Sequence, residues 1–96
     1  MNNNRRKEIS RIIEEIESAV TTAKEKLEEL QTSIESVRDE EQECMDNMPE
    51  NLQGSERYET AEQAADNLDS AASSIEELVD ALDADDLIGY LNDAKE

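Results

Sequence analysis

Apolar residues recur every three or four positions through the first half of the chain, and this repeat constrains the fold more than any other feature. Neither Gly nor Pro interrupts it before Pro49. Such spacing predicts one long helix whose apolar face forms a heptad seam. We expect this helix over about residues 6–47, with a length of ~60 Å. The seam residues are Ile9, Ile13, Ile16, Val20, Ala23, Leu27, Leu30, Ile34, Val37, Cys44 and Met48.

Two seam positions of this helix carry unusual residues. Glu41 is the one position that breaks the apolar repeat. It either fixes the register of a coiled coil or points outward where the helices separate. Cys44 is predicted to be a small buried hydrophobe, and cross-linking of a parallel dimer is the alternative.

The second half predicts a loop, a second helix and a short third helix. Pro49 and Gly54 mark a loop over residues 48–54, and Ser55 is a good N-cap for a helix over about 55–83. A last helix over about 86–94 follows, for which Asp85 or Asp86 is the predicted cap. The seam of the second helix is Tyr58, Ala61, Ala65, Leu68, Ala72, Ile75, Val79 and Leu82, and Ala64, Ala71 and Leu78 widen it into a broader buried arc.

These elements predict a single all-α domain over residues 1–96. Its architecture is a long antiparallel helical hairpin, a coiled coil, with a short C-terminal helix. Folding about residue 51 or 52 places Arg38 near Asp66 and Lys24 near Asp80. Because Ala supplies much of the core, the core is thin, and we expect a homodimer or a stability that rises with salt.

The second helix carries a stripe of acids, here called the acidic stripe. From Tyr58 to Ala94 the chain has no Lys or Arg. The acidic residues are spaced three or four positions apart in the sequence, so on a helix they form a continuous negative line. Like charges this close repel, and a basic partner or salt would offset the repulsion. The acidic stripe, our candidate partner-binding site, is Glu59, Glu62, Asp66, Asp69, Glu76, Asp80 and Asp83.

The charge balance excludes several partners. The formal net charge is -18, so nucleic-acid phosphates and anionic membranes would repel the chain. No apolar run approaches the ~18 residues that span a membrane. The single cysteine cannot form an internal disulfide and fits a reducing compartment. We therefore expect a cytoplasmic protein whose partner is a basic protein.

The sequence predicts neither an enzyme nor a cofactor. There is no His and no Gly-rich phosphate loop, and a two-helix rod offers no cleft that would shift carboxylate pKa values apart. The run from Asp83 to Asp86 is similar to the start of a calcium loop. Such a loop needs Gly and Glu where this chain has Ile88 and Ala94. A capping cluster is the better interpretation, and carboxylate metal binding ranks last.

Three interpretations of the acidic stripe stay open. It is a solvated face that keeps the rod soluble, or it imitates a polyanion, or the apolar seam rather than the charge binds a partner helix. The 27 acids along ~60 Å give about one per 2.2 Å, against ~1.7 Å per charge in duplex DNA. A line of Glu14, Glu28 and Glu35 on the first helix extends this surface. The density is broadly comparable with that of DNA, so a DNA mimic that binds a nuclease or another DNA-binding protein and a coiled-coil scaffold are equally supported.

The stretches 38–43 and 46–57, around the Met48-Pro49 turn, carry a resemblance to a known family. They resemble small acidic coiled-coil proteins of phages, prophages and mobile elements. The likeness is specific over about twenty residues and compositional elsewhere, and it carries over no functional residue. It implies a phage context, where very acidic inhibitors of restriction and CRISPR systems include DNA mimics. A DNA-mimic inhibitor is thus the predicted function, and a coiled-coil adaptor or assembly protein the alternative.

Overall fold

The protein is an extended, all-helical rod. The structure, a computed structural model, describes residues 2–96, and none of these lies in a strand. Helix accounts for 87% of the chain, which measures 76 × 16 × 12 Å along its principal axes. The helices are α1 (Asn3–Asp46), α2 (Glu56–Ala81) and α3 (Asp85–Ala94), with a 3-10 turn at Glu50–Leu52. The all-α prediction is confirmed, and the shape is that of a helical hairpin.

The first helix begins three residues earlier than its predicted start at residue 6. The side chain of Asn2 accepts a hydrogen bond from the backbone N–H of Arg5 at 2.9 Å. An Asn in this position satisfies a backbone donor that the helix leaves free. Helix α1 therefore includes the basic residues Arg5 and Arg6, and Arg6 donates from Nε to the carbonyl of Lys95 at 2.9 Å.

The turn between α1 and α2 follows the predicted chemistry at Ser55. Its hydroxyl oxygen accepts from the backbone N–H of Tyr58 at 3.3 Å, as an N-cap does, and donates to the carbonyl of Leu52 at 2.6 Å. Glu56 in the first turn suits the positive end of the helix dipole. Leu52 itself stays exposed.

The third helix is held at its start by a residue other than the predicted ones. The carboxylate of Asp83 accepts a hydrogen bond from the backbone N–H of Asp85 at 2.9 Å. The side chains of Asp85 and Asp86, the predicted caps, do not cap the helix. An Asp bonding to a backbone N–H two residues on is a typical turn of this residue. Asp85 and Asp86 lie in the first turn of α3 instead, where the dipole favours acids.

Helices α2 and α3 run back along α1 with a later register than predicted. Lys95 donates from Nζ to the hydroxyl of Ser10 at 3.3 Å, and Arg38 pairs with Asp69 rather than Asp66. Met48 and Arg57 line one groove, which centres the turn between residues 52 and 53. Because the 3-10 turn takes up part of the loop, the centre of the turn lies about one residue later than predicted. A displacement of the centre by one residue shifts the pairing between the helices by two residues.

The core is as thin as predicted. Among residues 2–96 the buried hydrophobic side chains are Ile13, Met45, Ala61, Ala65 and Ala72. Alanines bring the two helices close but bury little area each, so the hairpin gains little from hydrophobic burial. In the described part of the chain, no helix is both long and apolar enough to cross a membrane.

The inward face of α1 rotates along the helix, which overturns part of the predicted seam. Near the start the half-buried or buried residues are Ile13, Ile16 and Val20, as expected. Further on, Val37 is 50% exposed and Cys44 is exposed, while Met45 is buried at 4%. A straight helix drifts ~20° per heptad from a 3.5-residue repeat, so the inward line turns along α1. Positions 30, 37 and 44 give way to 31, 38 and 45, while Ile34 and Met48 stay half-buried. The predictions that Leu30, Val37 and Cys44 are buried are therefore wrong.

The same comparison on α2 gives a different result. Its predicted seam, from Tyr58 to Leu82, is buried or half-buried throughout. Ala64 and Ala71 are half-buried, but Leu78 is 51% exposed. The buried arc is thus narrower than predicted, because a single neighbouring helix covers only one line of contacts on α2.

Candidate functional site

All seven residues of the acidic stripe are exposed. Their positions follow the buried seam of α2 by one residue, which turns them ~100° from the direction of α1. The structure therefore brings them together along one side of the hairpin and leaves five without a hydrogen bond or ion pair within residues 2–96. Those five are Glu59, Glu62, Asp66, Glu76 and Asp80.

The two other stripe residues have structural partners. The Arg38 guanidinium lies 2.5 Å from the carboxylate of Asp69 and 2.9 Å from that of Asp39. Hydrogen bonds to Asp69 first, and then to Asp39, raise the pKa of Arg38. Asp83 holds the start of α3, as described above. Part of the stripe is neutralised within the hairpin, as predicted, although by an ion pair to Asp69 rather than Asp66.

An open cleft lies where the segment between α2 and α3 crosses α1. Lys24, predicted to lie near Asp80, lines this cleft together with Asp80. Three further carboxylates, those of Glu17, Asp83 and Asp85, line it as well. The cleft therefore carries four acids around one amine and adds to the negative side of the molecule.

Helix α1 contributes acids to the same side. Arg38 and Glu17 occupy the heptad position that faces the acidic stripe, and the line of Glu14, Glu28 and Glu35 lies next to that position on the helix. All three glutamates are exposed. We call the acidic stripe and these three residues together the acidic flank.

The opposite side of the hairpin is apolar. A shallow groove there is lined by Leu30, Ile34 and Val37 of α1 and by Leu68 and Ile75 of α2, with Ser33 at its edge. Helical spacing places Ala64, Ala71 and Leu78 along the same border. Leu30 is 43% exposed and Leu78 is 51% exposed. We call these eight apolar residues, without Ser33, the apolar flank.

From residue 60 to the end of α2, this side carries no charge. Its outward positions precede the seam by one residue, and from residue 60 to residue 81 they hold only Thr, Ala, Asn, Ser and Leu. The sequence analysis missed this surface, because a strict seven-residue repeat predicts that Leu30 and Val37 are buried in the seam. The signal that reveals it is the drift between a 3.6-residue helix and a 3.5-residue pattern over forty residues.

The remaining candidate groups are the other carboxylates and the thiol of Cys44. Within residues 2–96, no three Asp, Glu or Cys side chains come close enough to hold a metal ion. Cys44 is exposed beside Met48 and Arg57 at the turn end of the rod. The hairpin thus has two contrasting sides, the acidic flank and the apolar flank.

Comparison of the chain with protein-family models, with curated proteins and with solved structures gave no significant match.

Proposed function

We propose that the protein binds a basic, nucleic-acid-binding protein through its acidic flank, and that it acts as a DNA mimic without catalytic activity. The observation that carries the proposal is the exposure of the whole acidic stripe along one side of a 76 Å rod. Acids buried against internal cations, or spread evenly around both helices, would offer no such surface. The resemblance to phage proteins supports a role as an inhibitor of a restriction or CRISPR nuclease in the host cytoplasm.

The charge density suits this role best in a pair of chains. The 27 acids spread over 76 Å give about one per 2.8 Å, against ~1.7 Å per charge in duplex DNA. Two copies side by side give about one per 1.4 Å. We include a homodimer in the proposal, because two chains carry a net charge of -36, about one per 2.1 Å, and come much nearer to the linear density of a duplex than one chain does.

The energetic source of binding is the same as for DNA. A basic groove that takes up the acidic flank releases the counterions of both surfaces, so affinity falls steeply with salt. Binding also relieves the repulsion between stripe acids one turn apart, such as Glu62 and Asp66. The partner thus offsets a cost that the free hairpin bears.

The test is capture from a lysate of a bacterial host on immobilised protein, followed by elution with duplex DNA at constant ionic strength. A DNA mimic loses its partner to DNA because both occupy one groove. The test variant carries Glu62→Lys, Asp66→Lys and Glu76→Lys, three acids that have no internal partner. Asp69 is left unchanged because it pairs with Arg38.

A matched variant controls for net charge. Glu25→Lys, Glu29→Lys and Glu43→Lys change exposed acids on the side of α1 turned away from α2. Each triple variant gains two charges per residue, so both go from -18 to -12. We expect capture to be lost in the α2 variant and retained in the α1 variant. Equal capture by both, or a partner that DNA does not elute, would show that mimicry is wrong.

One observation favours a second function, that of a coiled-coil adaptor. The apolar flank leaves Leu30, Val37 and Leu78 half-exposed, as a surface that receives a partner helix would. An adaptor keeps its partner when the acids are reversed and loses it in a Leu78→Asp variant. The same capture experiment therefore separates the two functions.

A further inference from the structure

We infer that the apolar flank is the surface through which two copies of this chain pair. The inference rests on the homodimer in the proposed function and names its interface. It begins from an imbalance in the fold: the large aliphatic residues Leu30, Val37 and Leu78 are each 43–51% exposed, while most of the buried positions are alanines. A second copy laid on the groove covers the residues that one hairpin cannot cover.

The distribution of charge allows a second copy to pack only against the apolar flank, where repulsion between the two chains is weakest. Two chains of net charge -18 repel each other, and the repulsion is worst where acidic flanks face. The outward positions of α2 on the apolar side are uncharged from residue 60 to residue 81. Copies that meet there keep their acidic stripes on opposite outer sides of the dimer.

The α1 border of the groove is self-complementary rather than basic or acidic. Lys26 and Glu40 lie seven residues before and after Ser33 on that border. A two-fold axis near Ser33 brings Lys26 of one copy to Glu40 of the other and Leu30 to Val37. Within one chain Lys26 contacts Glu29 at 3.6 Å. Because both side chains are exposed, this ion pair is weak and leaves Lys26 able to pair with Glu40 of a second copy. A basic helix of another protein would meet no excess of acidic residues along this border.

The area is sufficient for a stable pair. The uncharged line from residue 60 to residue 81 is ~33 Å long, and with the 16 Å breadth of the rod it gives roughly 530 Å² per copy. Two copies then bury roughly 1,050 Å², just above the ~1,000 Å² that a specific protein interface needs. The dimer is expected to be concentration-dependent and to strengthen with salt, because salt screens the repulsion between the chains.

The test is the molecular mass in solution, by sedimentation equilibrium over a range of concentrations in ~0.15 M and ~0.5 M NaCl. We expect the wild type to reach twice its 10.8 kDa chain mass. Val37→Glu places a charge in the groove and should leave a single-chain mass with unchanged helicity. Ser36→Glu adds the same charge one residue away, on the far side of α1, and should dimerise like the wild type.

Two further variants keep the test decisive. If Val37→Glu loses helicity, Leu78→Glu on α2 makes the same prediction from the other helix. Lys26→Glu should weaken the dimer about threefold, and addition of Glu40→Lys should restore it, as the two-fold axis requires. A wild type that keeps the single-chain mass at all concentrations, or a Val37→Glu variant that dimerises normally, would overturn the inference.

Partner binding is a separate readout. A Val37→Glu chain still presents its acidic flank, so it should capture a basic partner more weakly but measurably. Loss of dimerisation with retained capture therefore contradicts neither claim. A wild type that stays single and instead binds a foreign protein through Val37 contradicts the pairing of two copies.

Discussion

The two exposed lines of α2 that border its buried seam differ in charge: one follows the seam by one residue and the other precedes it by one. Residues that follow the seam by one are almost all acids, and residues that precede it by one are uncharged from 60 to 81. The first line is exposed throughout, and the second is exposed except at the half-buried Ala64 and Ala71. Because solubility alone would be served by acids on either side, we propose different partners for the two sides.

The acidic flank lowers the stability of the free chain, and the apolar flank leaves hydrophobic area uncovered. In the binding events that we propose, a cation-rich surface would offset the first deficit and a second copy would cover the second. The alanine seam between them keeps the helices close, so that the flanks stay in fixed relation.

The largest effect is expected at the alanine seam. Ala65→Asp buries a carboxylate beside Met45 and Ala61, at a position only 4% exposed, and should cost ~3 kcal/mol or more. Ala64→Asp changes the neighbouring residue, which is half-buried on the apolar flank, and should cost ~1 kcal/mol. Thermal unfolding followed by circular dichroism at low concentration measures both. Equal losses would mean that the seam does not run where the structure has it.

The next effect tests the rotation of α1. Met45→Ala removes a buried side chain and should cost ~2 kcal/mol. Cys44→Ala changes an exposed residue one position earlier and should stay within ~0.5 kcal/mol of the wild type. Urea unfolding of the two variants gives the comparison. A larger loss for Cys44→Ala would restore the regular seven-residue seam and remove the apolar flank.

A third effect distinguishes the acids with and without internal cations. Glu62→Gln with Asp66→Asn removes a like-charged pair one turn apart and should stabilise the chain by ~0.5 kcal/mol, a rise of a few degrees in Tm at low salt. Glu15→Gln with Glu29→Gln removes partners of Arg11 and Lys26 and should give no gain. The difference should vanish in ~0.5 M NaCl. Equal gains at low salt would argue that charge is balanced evenly around the rod.

The smallest effect tests the register between the helices. A double-mutant cycle of Arg38→Gln and Asp69→Asn should give a coupling energy of ~0.5 kcal/mol, because the ion pair is largely exposed. The corresponding cycle of Arg38 with Asp66 should give a coupling near zero. A coupling to Asp66 instead of Asp69 would place the turn where the sequence alone predicts it.

Much of the fold was predictable because local patterns decide it. The seam of α2, the N-cap at Ser55 and the run of α1 up to Pro49 follow from spacing and capping rules that need no knowledge of the partner helix. The exposure of the acidic stripe follows as well, since it lies one position from the seam.

The features that were missed depend on distances along the whole rod. Burial of Leu30, Val37 and Cys44 was predicted from a 3.5-residue repeat, and the error in such a repeat accumulates along a 44-residue helix. Pairing of Arg38 with Asp69 depends on where the turn centres. A displacement of that centre by one residue shifts every pairing between the helices by two residues. The apolar flank is the product of this accumulated drift, so short sequence windows could not reveal it.

A titration with an eight-residue arginine peptide, followed by the backbone amide signals of α2 in NMR spectra, tests the division into two flanks most directly. The account predicts shifts at Glu62, Asp66 and Glu76 that disappear as salt is added, and none at Ala64, Ala71 and Leu78. Shifts of equal size along both lines would show that the negative field surrounds the helix evenly, and the division would be wrong.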